Sequence, residues 1–188
     1  GDKDLATHIY RTDLLNKGQE KTEITRKICD KLAVKSEIIP MCNETVETFI
    51  ITKDQEMHFE EFYIKHQCKP QIKDVEFRGI ENAKLIPRIK DYIKNSERII
   101  ICPSNPIVSI NTILSVSNMR ELLKSEKKKI FAISPIIEGQ TVKGPADKLL
   151  RSVNLEVSSL GIAQFYKGII GHLIIDERDC ELKEKIKD

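Results

Sequence analysis

The sequence predicts an α/β protein: a parallel sheet with helices on both faces, plus an inserted antiparallel β segment. Three observations predict it. From Ala83 onward, short apolar runs alternate with helical patterns, the signature of βαβ units. The runs Ile99–Cys102 and Lys129–Ser134 are almost unbroken in apolar residues, as strands covered on two faces are. Between about residues 37 and 80 the pattern changes to short stretches rich in β-branched and aromatic residues, which reads as an insert.

The elements follow in order. Asp4 to Lys17 reads as a helix, with Asp2 and Asp4 where the helix dipole favours negative charge and Gly18 as its stop. A second helix runs from about Glu23 to Leu32, with Thr22 as N-cap. Glu37–Ile39, Val46–Ile51, His58–Ile64 and Val75–Phe77 read as β-rich stretches, with a hairpin turn at Lys53-Asp54-Gln55-Glu56. Pro87–Lys94 is a helix, Ile99–Cys102 a strand, and Ser117 caps a helix running to about Lys124. Lys129–Ser134 is a strand, Pro145–Val153 a helix, Leu155–Ser158 a short strand, Gly161–Tyr166 a helix and His172–Asp176 a strand. The organisation is therefore a helical part over residues 1–36, an antiparallel β insert over 37–80 and an α/β core over 81–188, all within one structural domain.

Composition narrows the function. Charged residues are 32% and apolar residues 40%, as in a globular protein. A net charge of +2, with Lys and Glu interspersed, leaves no electrostatic footprint for nucleic acid. Lys127-Lys128-Lys129 reads as a solvated helix end. No run is apolar enough to span a bilayer, and no secretory leader pattern is present. Cysteines at 29, 42, 68, 102 and 180 form no CxxC and are odd in number, so the expected setting is a reducing cytoplasm with no disulfide framework or zinc site. Cys102 reads as a buried packing residue.

Both strong strands end in polar loops fixed by proline: Pro103-Ser104-Asn105-Pro106, and Ser134-Pro135 leading to Val142-Lys143-Gly144-Pro145. In open α/β sheets that edge binds ligands. Ser104, Asn105 and Ser109 offer hydroxyl and amide groups there; the same residues serve equally as an Asx-type turn that satisfies its own backbone. Gly144 before Pro145, with Lys143 alongside, suits a phosphate at a helix start; Lys143 serves equally as a solvated loop residue. His8 and Arg11 share one side of the first helix, where His8 also has Asp4 as an ion-pair partner at i−4. Asp176-Glu177-Arg178-Asp179 reads as a solvated strand end, with a hold on Mg²⁺ or a ribose hydroxyl as the alternative.

At these residues the sequence becomes specific. Gly1-Asp2-Lys3-Asp4-Leu5-Ala6-Thr7-His8 with Arg11-Thr12, Pro103-Ser104-Asn105-Pro106 with Ser109-Ile110, and Ser134-Pro135-Ile136-Ile137 with Gly139 and Val142-Lys143-Gly144-Pro145-Ala146 with Lys148 closely resemble the 2-phospho-L-lactate transferase family. The resemblance covers essentially the whole chain. It implies a Rossmann-like core and a part in coenzyme F-420 biosynthesis. The implied reaction moves a phospholactyl or phosphoenolpyruvyl group from a guanosine diphosphate ester to the ribityl hydroxyl of a 7,8-didemethyl-8-hydroxy-5-deazariboflavin precursor, with GMP leaving. Mg²⁺ is the implied cofactor and a homodimer the implied assembly. On this resemblance Ser104, Asn105, Ser109, Ser134, Lys143, Gly144, His8 and Arg11 are assigned to substrate, and Asp2 and Asp4 to the metal. Two departures stand out. Cys42-Asn43-Glu44 replaces the Ser and acidic residues usual in the family after Pro40-Met41, which weakens any polar role for that turn. The family's glycine-rich phosphate loop has no counterpart here, so the expectation is a piece of a longer protein, truncated at both ends and inactive alone. The competing readings are a sugar-nucleotide-binding regulator of a sister family, and an inactive fragment.

Overall fold

The computed structural model describes residues 1–142 and 144–187. Helix α1, Asp2–Asn16, stops because Gly18 turns left-handed at φ +76°, which sends the Gln19 N–H back to Leu14 O (3.1 Å) and the Gly18 N–H to Leu15 O (2.9 Å). Helix α2, Lys21–Lys31, is not capped by Thr22. Its first turn is capped from a distance: Asn43 Oδ1 accepts from Thr22 N–H (3.0 Å) and Thr22 Oγ1 (3.1 Å), while Asn43 Nδ2 donates to Glu20 (3.0 Å). Glu44 accepts from the Lys84 N–H (3.1 Å), and its own carbonyl accepts from Lys21 Nζ (2.5 Å). The turn after Pro40-Met41 thus has a polar role after all, as the tie that holds α2 to the chain at Lys84.

The insert is a three-stranded antiparallel sheet of β1 (Glu47–Thr52), β2 (Glu56–His58) and β3 (Ile72–Arg78), in the order β2-β1-β3. The hairpin falls at the expected turn, where Thr52 and Gln55 exchange hydrogen bonds. The expected strand over His58–Ile64 stops at His58; a π-helical turn, Glu61–Lys65, replaces the rest. Phe59, Phe62 and Tyr63 stand at helical spacing, and that period prevails: Phe62 is fully buried and Phe59 stacks on Tyr63 at 5.9 Å. Glu37–Ile39 forms no strand; Glu37 pairs with Arg88 (2.6 Å) and Ile38 is exposed.

Past Ala83 come α3 (Pro87–Asn95), β4 (Ile99–Ile101), a π-helical turn (Pro106–Ile110) that runs into α4 (Asn111–Leu114), α5 (Met119–Ser125) and β5 (Ile130–Ile133). Ser117 does not cap α5; it adopts φ +39°, and Asn118 holds the cap position. Lys127–Lys129 forms a 3₁₀ turn after α5, with Lys127 and Lys128 in solvent, as expected of a helix end. The segment read as a long second loop contains a small hairpin, β6 (Ile136–Ile137) with β7 (Gln140–Thr141). Its two-residue turn, Glu138-Gly139, has positive φ at both positions (+51° and +71°), the geometry of a type I′ turn. Helix α6 is Ala146–Ser152, with Pro145 just before the first helical residue. Leu155–Ser158 is not a strand: Ser158 caps α7 (Ser159–Phe165), accepting from the Gly161 N–H at 3.1 Å. Strand β8 is His172–Ile174, followed by a 3₁₀ stretch (Glu177–Leu182) and α8 (Lys183–Lys187).

Strands β4, β5 and β8 form a parallel sheet in that order, so the α/β class with an inserted antiparallel sheet is observed. The strands are added in one direction. Right-handed crossovers then place the connecting helices on one face. On that face Ile99, Ile101, Ile130, Ala132 and Leu173 join a core with Leu123, Leu149, Ile162 and Tyr166, continuous with Ile50, Met57 and Ile72 of the antiparallel sheet. On the opposite face the described residues leave Ile100 62% and Ile174 49% exposed, with Phe131 and Ile133 half-buried beside the Phe131–His172 stack (4.3 Å).

Candidate ligand-binding site

Because β4, β5 and β8 run parallel, their C-terminal ends share one edge: the Cys102–Asn105 loop, Ser134, and Ile175-Asp176. Ser134 is tied to its neighbour strand through its N–H to Ile174 O (2.9 Å). The helical segments after the first two strands pack on each other, α6 against the Pro106–Ile110 turn, with Ala146 and Ile107 both buried. The two proline-fixed loops therefore enter neighbouring helical segments at the same edge.

Within the first loop, Asn105 Oδ1 accepts from the N–H groups of Ile107 (3.0 Å) and Val108 (3.2 Å). The Asx-type reading holds for this oxygen, and it occupies the amides that a phosphate would otherwise meet at a helix start. The Asn105 Nδ2 group makes no hydrogen bond to a described residue, so it is the donor left for a ligand, beside the exposed Ser104. Ser109, half-buried, lies one turn further along, its N–H on Asn105 O (3.2 Å). Cys102 is exposed rather than buried, because it follows the last sheet residue on the side where Ile100 is bare.

In the second loop, Gly144 holds φ +74° and its carbonyl accepts from Thr141 Oγ1 (3.1 Å). A Cβ there would meet open space, so its glycine serves backbone conformation, not close packing. Lys143 lies outside the described residues. Ser134 is placed at the edge but turned inward: buried, it contacts Ile136 and Ser159 Oγ (3.1 Å), and Ser159 donates to Asp179 (2.9 Å). Asp179, read from sequence as solvated, is buried. Asp176 is different: hydrogen bonds from Arg178 hold its carboxyl below the usual carboxylate range.

The α1 residues stand apart. Asp2, Asp4, His8 and Arg11 are exposed, and Asp4 pairs with His8 at 3.5 Å, the local alternative foreseen for that histidine. Helix α1 packs on α2, and no hydrogen bond or ion pair among the described residues links it to either strand-end loop. Asp2 and Asp4, two residues apart, point about 200° apart around the helix and do not face a common ion. Among the described residues no group of three or more His, Cys, Asp or Glu side chains is placed to hold a metal. These two carboxylates do not fit a Mg²⁺ site by themselves.

Sequence reasoning missed Ser159 and Asp179 because their link to Ser134 is purely long-range. Of three surface cavities, one of about 700 Å³ between Glu44, Lys84 and Ser117 and one of about 560 Å³ between α2 and Glu37–Ile39 lie away from the edge, while one of about 880 Å³ between β8, α7 and α8 reaches it at Ile175-Asp176. None is lined by Ser104, Asn105, Ser109 or Gly144. The candidate site is an open edge in this chain.

The fold defines an α/β protein with two polar, proline-fixed loops at the end of its parallel strands, the edge where open α/β sheets bind ligands. The chain belongs to the family described as 2-phospho-L-lactate transferase CofD, whose model matches residues 1–188. It is 41% identical over 179 residues to the 2-phospho-L-lactate transferase of Methanosarcina mazei, covering 95% of this chain and 58% of the relative. It is 37% identical over 190 residues to that of Methanocaldococcus jannaschii, covering 99% of this chain and 60% of the relative. The chain thus spans under two thirds of the length of these curated relatives. Two crystal structures of a Bacillus halodurans protein, one described as a member of the UPF0052 family, share the fold at TM-score 0.61 and 15% and 16% identity; each covers 89% of this chain, which spans about half of theirs (51% and 52%).

The cysteines give a direct check on the fold. Burial pushes the Cys42 and Cys68 thiols up from their ordinary values, which keeps them protonated and shielded. Iodoacetamide at neutral pH is expected to label Cys102 and Cys180 in the native chain, and Cys42 and Cys68 only after unfolding, as read by mass spectrometry of digests. Fast native labelling of Cys42 would contradict the packing described.

Proposed function

We propose that the protein carrying this sequence transfers a phospholactyl or phosphoenolpyruvyl group from its guanosine diphosphate ester to the ribityl hydroxyl of the 7,8-didemethyl-8-hydroxy-5-deazariboflavin precursor, in coenzyme F-420 biosynthesis. The hydroxyl oxygen forms the new bond to phosphorus, the bond to GMP breaks, and the hydroxyl proton is lost. The observation that carries the reading is the family match over the entire chain, together with two polar loops at one sheet edge.

In-line transfer of this kind needs positioning and charge neutralisation more than covalent chemistry. The roles of this chain's groups follow. Asn105 Nδ2 and Ser104 donate to the donor's phosphate oxygens, and Ser109 lines the same side. Gly144 keeps the backbone open, and Lys143 supplies a positive charge to the diphosphate. His8 and Arg11 belong to the rim, reached only through parts of the site beyond the described contacts. Mg²⁺ is an expected requirement that no residue here is assigned to hold. A homodimer in the cytoplasm completes the proposal.

The test uses the full-length protein with the guanosine diphosphate ester, the deazaflavin precursor and Mg²⁺, following GMP release with and without EDTA. Absence of GMP release with active controls would overturn the reading. Lys143→Ala is expected to weaken donor affinity about tenfold or more, the size of one charge-assisted contact; unchanged donor affinity would remove Lys143 from the phosphate site.

A further inference from the structure

Among the described residues Asp179 is the one buried carboxylate, at 5% exposure, and the proposed chemistry leaves it unused. Burying a carboxylate is costly unless hydrogen bonds replace its water. Here Oδ1 accepts from the Glu138 N–H (3.0 Å) and Oδ2 from Ser159 Oγ (2.9 Å). The neighbouring Arg178 guanidinium is spent on Asp176 (2.8 Å) and Glu138 (3.4 Å). Among the described residues no direct ion pair compensates Asp179, so the hydrogen bonds hold its place.

Proton counting limits which of these bonds can form together. An ionised carboxylate only accepts, and a serine hydroxyl has one proton. With Asp179 as acceptor, Ser159 gives it its proton and can only accept from Ser134 Oγ (3.1 Å), whose own proton has Ile136 O (3.0 Å) as a second acceptor; Ser134 Oγ itself accepts from the Ile136 N–H (3.2 Å). Both serine hydroxyls also lie at Ile136 O (3.0 and 3.3 Å), so β6 is tied at Ile136 to the Ser134–Ser159–Asp179 cluster. One carboxylate pins the β6–β7 hairpin at two points, its first strand through the two serines and its turn directly through Glu138. That hairpin carries the backbone from the end of β5 to Gly144.

We infer that Asp179 is a positioning residue: through Ser159 and Glu138 N–H it sets where the β6–β7 hairpin and the Gly144 that follows it stand at the sheet edge, and hence how the donor's phosphates are held. The inference rests on the transferase reading for its ligand, and on hydrogen bonds alone for the anchor. Asp179→Ala removes both pins. Asp179→Asn keeps the Glu138 pin and weakens the other, because its amide reverses the Ser159 contact and removes the charge that strengthens it. Ser159→Ala cuts the relay and leaves the Glu138 bond.

The experiment uses the full-length protein and two readouts. In Asp179→Ala, the KM for the guanosine diphosphate ester is expected to rise about tenfold or more while the KM for the deazaflavin precursor stays within about twofold, with Asp179→Asn in between. Backbone amide exchange over Glu138–Val142, read by mass spectrometry, is expected to accelerate in the same order. Parallel changes in both KM values, or amide exchange equal to that of the unsubstituted protein, would overturn the inference. Should Asp179→Ala fail to fold, Asp179→Asn and Ser159→Ala carry the same comparison. An unsubstituted protein without transferase activity would sink the functional reading instead, and the exchange measurement would still decide the anchor.

Discussion

Asn105→Asp in the full-length protein is expected to keep the fold and lose the activity. Asp caps a helix start as well as Asn does, so its Oδ accepts from Ile107 and Val108 as before, and stability should change by under about 0.5 kcal/mol. The substitution removes the Nδ2 donor and adds a negative charge where a diphosphate is proposed to sit. Loss of one preorganised donor in a transfer site costs about 10²–10³-fold in rate, and like-charge repulsion adds to it. Asn105→Ala gives the complementary result: the cap is lost at about 1 kcal/mol, with a similar loss of activity. Steady-state kinetics and a denaturant titration on both variants separate the two roles. If Asn105→Asp retained kcat/KM, Asn105 would be a cap only, and the ligand edge would have to be drawn elsewhere.

Gly161→Ala is expected to be the most damaging single-methyl change in the α/β half. Gly161 is buried in the first turn of α7, and a Cβ there would stand 2.0 Å from the Glu156 carbonyl oxygen and 2.9 Å from its carbon. Both are backbone atoms, so no side chain can swing aside. The chain has to move α7 or the Glu156–Ser158 turn, and Ile162 and Ser159, both fully buried, move with it. Overpacking of this kind costs about 1–3 kcal/mol, and more where backbone is displaced. A shift of that turn would also break the Ser158 cap on the Gly161 N–H. The denaturant midpoint reads the loss; a midpoint within error of the unsubstituted chain would show that the turn relaxes freely.

The sequence made the parallel core legible because each strand there is an apolar run cut by proline or glycine. Ile99–Ile101, Ile130–Ile133 and His172–Ile174 were all found within a residue or two of their ends. The β1–β2 hairpin was legible for the same reason. Errors fell where two periods overlap or where partners are distant. Phe59–Tyr63 is β-prone in composition and helical in spacing, and burial of Phe62 decided for the turn. Thr22 looked like a cap until Asn43, 21 residues away, took the position. Glu138-Gly139 carries a visible turn signal, since a glycine at the second central position suits a type I′ turn. Nothing local points to Ser159 or Asp179, because a hydrogen-bonded relay across 25 residues leaves no periodicity. The Asp2 and Asp4 assignment rests on the family resemblance and on their nearness in sequence to His8 and Arg11, and helix geometry turns the two carboxylates away from each other.

The bare face of the parallel sheet has a consequence for handling this polypeptide by itself. Ile100, Phe131, Ile133 and Ile174 form an apolar strip, and β4 and β8 each have one edge without a strand partner among the described residues. Unpaired edges next to sticky surface are templates for other chains. Produced as these 188 residues, the polypeptide is therefore a candidate for inclusion bodies and for capture by chaperones, whatever the strength of its covered core. Charged substitutions at Ile100 and Ile174 should raise its soluble yield, and sedimentation at several concentrations would show the self-association recede.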